Sequence, residues 1–418
     1  MAPRRALSYL LAGVFVFLSF AVAIRRTGIA ATLSSKPRVI IFAVNGAEWD
    51  FLRPLLIRGE LPNLKHVIEN GVYGKLRTVS APNCPKVFTT FFTSVPPEKS
   101  GITGFVVDGQ TANTNMLRSE PLWSILSKHQ VTVGMANVPA TFPVMPVNGY
   151  MISGMLTRGK GCEDGVLCAP KLSEVEGGDA VYPKTMIPEL EANVGDFLID
   201  CSRMPNREDL EGKEAQEVQS WLNGVQKIRD QQNKLFLYLL KNHPTDFTMF
   251  DQSCEDRVGH WLYPIQDYNV GYNSKVNSVR VDAFPDQYRA FDKVLGSILP
   301  FIDANTTLFI ISDHGIKPLR EFGDDHANHS HGSSVPSTTP VIAKHDFPDA
   351  DDVPGAFIAM GPGIKKNYEL MGFAASAFDI APTVLHLYGI DPPPQMQGHF
   401  LSEIYESSPA KETAKLGK

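Results

Sequence analysis

Apolar runs and amphipathic segments alternate along the chain. "RVIIFAVNG" is a β-branched, apolar run closed by Asn45-Gly46, the pattern of a strand buried on both faces. "LPNLKHVIENG" follows, with Pro62 near its start, Leu64, Val67 and Ile68 on one helical face and Gly71 as the stop, which predicts a short helix. "EPLWSILSKHQ" predicts a second helix and "VTVGMANVP" the next strand. The alternation returns further on, where the long amphipathic helix "EVQSWLNGVQKIRDQQNKLFLYLLKNH" leads into the strand "DFTMFDQS". "DQYRAFDKVLGSILPFI" spaces Tyr288, Phe291, Leu295 and Ile298 for one helix face, and the strand "TTLFIISDHG" comes next. "PGAFIAMGPGI" reads as a strand and turn, and "SAFDIAPTVLHLYGI" as a helix with Pro382 in its first turn and Gly389 at its end. Strands alternating with helices predict an α/β fold around a parallel sheet. From about Gly154 to Pro205 the text is irregular and rich in Gly and Pro, which predicts an insertion or cap.

The N-terminus breaks this pattern. Ala6 to Ile24 carries no charge and is flanked by Arg4, Arg5, Arg25 and Arg26. As a helix it covers about 28 Å, close to the roughly 30 Å of a bilayer core. A signal anchor is expected there, or a signal peptide cleaved near "AVA". The expected organisation is a targeting segment and linker over 1–36, one large domain over 37–405 with the insertion at 154–205, and a polar tail over 406–418. Either form of targeting predicts an extracytoplasmic location, membrane-anchored or secreted. The net charge of -6 provides no broad basic field, which argues against a nucleic-acid polymer as partner. Five cysteines leave an odd one in an exported chain. Cys162 with Cys168 and Cys201 with Cys254 are candidate pairs that leave Cys84 free; the alternative is that several are buried thiols.

Polar groups collect at the strand ends. Asn45 ends the first strand, Asp256 and His260 follow "TMFDQSCE", and Asp313 and His314 end "LFIIS". In a doubly wound sheet these ends gather in one crevice. Asp-x-x-x-His and Asp-His supply the mixed oxygen and nitrogen ligands that zinc, and often manganese, accepts. "HANHSH" and the aromatic pair Trp261 and Tyr263 are weaker features, open to solvent-loop and core readings.

"VNGAEWDFLRPLLIRGELPNLKHVIENG", "SVPPEKSGITGF", "PLWSILSKHQVTVGMANVPATFP", "DRVGHW", "SDHG", "GAFIAMGPGIKK" and "FDIAPTVLHLYGIDPPPQMQGHFL", in this order, resemble the alkaline phosphatase superfamily in its type I phosphodiesterase/nucleotide pyrophosphatase branch. The resemblance implies a three-layer α/β/α sandwich with a mainly parallel central sheet. It also implies two divalent cations, zinc or manganese, about 4 Å apart and clamping an in-line phosphoryl displacement on a small phosphoester. Carried onto this chain, it places Asp256 and His260 at one cation and Asp313 and His314 at the other. The Ser/Thr nucleophile at a helix start falls on Cys84, counted back from "TTFFTS", with Lys86 near enough to screen phosphoryl oxygens.

Three positions depart from the family pattern. Asn45 stands for the first-strand aspartate of the second cation, and Asp351 for a histidine, with His345 on the same loop as a substitute. Cys84 stands for the nucleophile itself. Near a cation and a helix N-terminus its thiol is expected to be depressed and reactive, or else to hold metal so tightly that the site is inert. The expected function is a metal-dependent phosphoester hydrolase; the alternative is a degenerate member that binds without turnover. Sulfatases share the fold and carry Cys-x-Pro-x-Arg at this helix start. Here Cys84-Pro85-Lys86-Val87-Phe88 displaces the proline by one and lacks the arginine.

Overall fold

Arg38–Val44 forms strand β1, and from Val39 onward every residue in it is buried. A strand reaches that state only with both faces and both edges covered. The edges are taken by β6 (Phe247–Gln252) and β7 (Thr306–Ile311), both parallel to β1. The other strands of this sheet are β2 (Val72–Arg77), β3 (Val133–Asn137), β4 (Gly149–Gly154), β5 (Val181–Tyr182), β8 (Gly355–Met360), β9 (Tyr368–Glu369) and β10 (Ala375–Ser376). Their order is β9-β2-β8-β7-β1-β6-β3-β4-β5, with β10 also pairing β2. The run from β7 to β4 is parallel throughout. β8 runs antiparallel to both β7 and β2, and β5 antiparallel to β4. This computed structural model describes residues 36–157, 172–196, 215–262, 278–318, 343–344, 351–373 and 375–406.

Alternation along the strands builds two cores, one on each face of the sheet. Ile40, Phe42 and Phe250 face α2 (Pro62–Glu69), α5 (Ala215–Asn242) and α7 (Ser278–Ile298), meeting Leu64, Phe236 and Phe291. Phe236 stacks on Phe250 with ring centroids 4.4 Å apart. Ile41, Ala43 and Met249 face the other way, into α3 (Cys84–Thr93), α4 (Leu122–Lys128) and α8 (Ile380–Leu387), meeting Phe88, Trp123 and Val384. The expected α/β/α sandwich around a mainly parallel sheet is what the chain forms.

Two elements go beyond the hydrophobic pattern. Helix α1 (Trp49–Ile57) carries Pro54 inside it, a residue that ordinarily ends a helix. Strand β2 is interrupted by Gly74, where an added Cβ would lie 2.8 Å from Leu370 Cβ. The described part of the 154–205 segment is packed into the first core through Leu172, Met186 and Leu190, and it contributes β5 to the sheet edge. The N-terminal span, Cys162, Cys168, Cys201, Tyr263, the "HANHSH" run, His345 and residues 407–418 lie outside the described residues, as does the side chain of Trp261. Among the described residues no helix is long and apolar enough to cross a membrane.

Candidate active site

The site begins where β1 stops. Asn45 continues the ladder by donating its N–H to Gln252 O at 2.9 Å, and Gly46 then turns at φ +75°. A Cβ on residue 46 would lie 2.9 Å from Asp256 Cα, so the turn passes the helix α6 (Cys254–Leu262) only as glycine. Gly46 N donates to Asp313 Oδ1 at 3.3 Å, and Tyr288 Oη donates to Gly46 O at 3.1 Å. One residue thereby ties together the ends of β1 and β7, helix α6 and helix α7.

Cys84 enters from the opposite helical layer. Asn83 caps α3 by accepting from Lys86 N at 3.2 Å, and Pro85 sits in the first turn, where its missing N–H is harmless. The threonines of this buried helix return their hydroxyls to carbonyls one turn back: Thr89 to Pro85 O, Thr90 to Lys86 O and Thr93 to Thr89 O. Packing so fixed leaves Cys84 2% exposed, its Sγ accepting from Asn45 Nδ2 at 2.6 Å.

Asp313 and His314 complete the cluster. The ligand atoms of Cys84, Asp313 and His314 all lie within 4.8 Å of one another, and all three residues are buried. His314 Nδ1 lies 3.0 Å from Gly315 O, which places a proton on Nδ1. Nε2 faces Asp313 Oδ2 at 3.3 Å, so both side chains meet at the same point. The buried Asn45 Oδ1 has no hydrogen-bond partner among the described residues. Asp256 and His260 stand one turn apart on α6, Oδ1 to Nε2 at 3.3 Å, with Asp256 2% exposed.

The electrostatics are those of crowded acids. Burial, then Asp313 and Asp256, pushes the Cys84 thiol well above its ordinary range; Arg257 and the Asn45 N–H pull the other way. These directions are those of the protein without a cation, whereas the depressed thiol is expected beside a divalent cation as well as a helix N-terminus. Burial and Asp256 likewise push Asp313 up.

Two expected residues are engaged elsewhere. Asp351 forms a two-pronged pair with Arg77, at 2.8 Å to Nε and 2.9 Å to a terminal nitrogen, and it is absent from the Cys84 cluster. A guanidinium matches a carboxylate in that fork geometry and takes both of its oxygens. Lys86 Nζ turns back to Ala81 O at 2.8 Å and Ser80 O at 3.2 Å, closing the loop before α3 rather than screening the cluster. Cys84 is a free thiol, and Cys254 is disulfide-bonded.

Sequence reasoning missed Asp251 and Arg257. Asp251 lies in β6, wholly buried, and Asp313 adds to the burial that raises its proton affinity. Its signal was the alternation Phe247, Met249, Asp251, which puts an acid on the face of two buried apolar residues. Arg257 directly follows Asp256 and brings positive charge toward Cys84.

Comparison with known proteins fits this architecture. The human ectonucleotide pyrophosphatase/phosphodiesterase 5 structure superposes with a TM-score of 0.51 at 14% identity, over 88% of this chain and 100% of that one, a likeness of fold. An inactive form of the murine protein in complex with AMP gives a TM-score of 0.48 at 12% identity, over 86% and 96%. A Caenorhabditis elegans homolog of the extracellular sulfatase Sulf-1 is 25% identical over 171 residues, 37% of this chain. The aligned part spans 21% of that protein. The sequence model of the family described as type I phosphodiesterase/nucleotide pyrophosphatase matches residues 39–352, from the first strand through the whole strand-end cluster, and the chain belongs to that family.

Proposed function

We propose that the chain is an extracytoplasmic, metal-dependent hydrolase of small phosphoesters, diesters or nucleotide-type substrates, with Cys84 as its nucleophile. The observation that carries this reading is the meeting of Cys84, Asp313 and His314 ligand atoms within 4.8 Å beside the buried, unpartnered Asn45 Oδ1. A sulfur, a carboxylate and an imidazole nitrogen are a donor set that zinc accepts, so the residues fit the group. Asp256 with His260 would hold one ion, and Asp313, His314, Asn45 and Cys84 the second. Divalent cations there supply positive charge for the phosphoryl oxygens and favour the thiolate over the thiol.

The chain's own groups do the rest. Asn45 Nδ2 holds Sγ in place and stabilises its anionic form by donating a hydrogen bond. Arg257 adds positive charge from α6. In-line attack forms an S–P bond as the ester P–O bond breaks, the leaving oxygen takes a proton, and water then cleaves the S–P bond to free Cys84. The disulfide at Cys254 supports an oxidising, extracytoplasmic compartment.

A second reading, binding without turnover, is favoured by Asp351, whose carboxylate is held by Arg77, and by the 2% exposure of Cys84. Metal analysis with an aryl phosphodiester assay separates them. The hydrolase predicts about two zinc or manganese ions per chain and turnover abolished by Asp313→Ala and by Cys84→Ala. A folded protein with metal and no turnover supports the binder, and one with neither sinks the hydrolase. Mass spectrometry of the Cys84 peptide tests the sulfatase alternative, which requires formylglycine in place of the thiol.

A further inference from the structure

Position 45 supplies a neutral amide where the family places an acid, so the second cation lacks one negative charge. We propose that Asp251, on the strand beside Asn45, supplies that charge and forms part of the acidic wall of the second cation site. The inference rests on the metal-dependent reading of the same site.

Register brings the two residues together. Pairing of β1 with β6 sets Ala43 opposite Asp251 and Val44 opposite Gln252, and the Asn45 N–H to Gln252 O bond continues it. Side chains two apart on a strand share a face, so Asp251 follows Phe247 and Met249 as Asn45 follows Ile41 and Ala43. Those apolar residues belong to the same core as Cys84. On the other side of β1, Ala43 pairs with Ile311, which aligns Asn45 with Asp313. Asp251 near the end of β6, and Asn45 and Asp313 just past the ends of β1 and β7, thus lie side by side on the face that receives Cys84.

The surroundings of Asp251 call for a cation. It is 0% exposed, and Ser253 Oγ donates to its Oδ2 at 2.5 Å. Oδ1 has no hydrogen-bond partner among the described residues, as is true of Asn45 Oδ1. A buried carboxylate in that condition is unfavourable until a proton or a metal compensates it. Burial raises its proton affinity first; Asp313 and Glu255 add to it, which places Asp251 within the field of the cluster. Asn137, aligned with Asp251 on β3 and held at φ +58°, fixes its backbone by donating from Nδ2 to Asp251 O at 2.9 Å.

Asp251→Asn keeps the shape and the Ser253 contact while removing the charge. The metal-free full-length protein is titrated calorimetrically with zinc alone, and with cobalt alone to follow the thiolate-to-metal absorption of a Cys84-bound ion. The expected result is about a tenfold or greater loss of affinity for one of two equivalents, with a weakened cobalt–thiolate band. The Asn45→Asp/Asp251→Asn variant has the native charge and is expected to bind both equivalents within about threefold of the native chain, on the scale of charge effects at metal sites. Native affinity in folded Asp251→Asn, or no rescue in the folded double variant, overturns the inference while leaving the hydrolase reading intact. Should Asp251→Asn not fold, Asp251→Ser takes its place in both the single and the double variant, with the same outcomes. A native chain that takes up neither metal overturns both readings.

Discussion

Replacing Gly46 by alanine tests the way the site is assembled. At φ +75° a residue with a Cβ is disfavoured by about 1–2 kcal/mol. The new methyl would lie 2.9 Å from Asp256 Cα and 3.0 Å from its Cβ, atoms fixed by α6 and unable to swing aside. Overpacking of this kind costs about 1–3 kcal/mol, so the expected loss is about 2–5 kcal/mol out of a typical 5–15. Because relief requires α6 to move away from β1, Asp256 and His260 should separate from Asp313, and metal affinity should fall with stability. Gly59→Ala is the control: φ is +73°, yet nothing lies within 4 Å of the added Cβ, leaving only the dihedral contribution. Urea unfolding followed by circular dichroism, with zinc titration of both variants, reads the difference. If Gly46→Ala is no less stable than Gly59→Ala, or binds zinc like the native chain, the contact does not set the spacing of the site.

Arg229 and Glu255 form an ion pair at 2.8 Å with side chains 1% and 0% exposed. Arg229→Leu should cost about 3–5 kcal/mol by stranding the acid, and Arg229→Leu with Glu255→Leu should recover much of it, as read by urea midpoints. Asp351→Ala breaks a pair whose partners are 50% and 40% exposed, so stability should change by about 1 kcal/mol or less and metal content not at all; a lost equivalent of metal would make Asp351 a ligand. With burial and two acids raising the Cys84 thiol, less thiolate exists at a given pH than for an ordinary cysteine. Iodoacetamide should therefore label the metal-free protein slowly at neutral pH, its rate climbing only in more alkaline solution, and a rate profile with an ordinary or lower midpoint in the metal-free protein would contradict that direction.

The sheet was legible because its central strands are buried on both sides, which writes them as unbroken apolar runs such as "VIIFAV" and "TTLFII". The helices on its faces followed from their apolar stripes, while α1 was hidden by Pro54 and β2 by Gly74. The order of Asp256, His260, Asp313 and His314 was equally legible, since each follows a strand that periodicity alone identifies. Pairings across the sheet were not. No spacing in the sequence tells that Arg77 reaches Asp351, 274 positions away, or that Lys86 folds back on Ala81. Asp251 was overlooked for a different reason: an acid inside an apolar strand reads as a strand end until the register shows what it faces.

Asn45 and Cys84 are better understood as one change than as two. A serine or threonine hydroxyl carries a proton that it can donate to a neighbouring aspartate. Once ionised, the Cys84 sulfur has none, and an aspartate 2.6 Å from it would set two negative charges in contact unless a cation stood between them. Asparagine removes that repulsion and turns the same position into a donor to the sulfur. The amide brings a loss of negative charge, and in a site that already buries Asp256 and Asp313 that loss lowers like-charge repulsion as well as metal affinity. An Asn–Cys pair with its hydrogen bond formed and a buried acid on the neighbouring strand are therefore consistent with the proposed role of Cys84 as nucleophile.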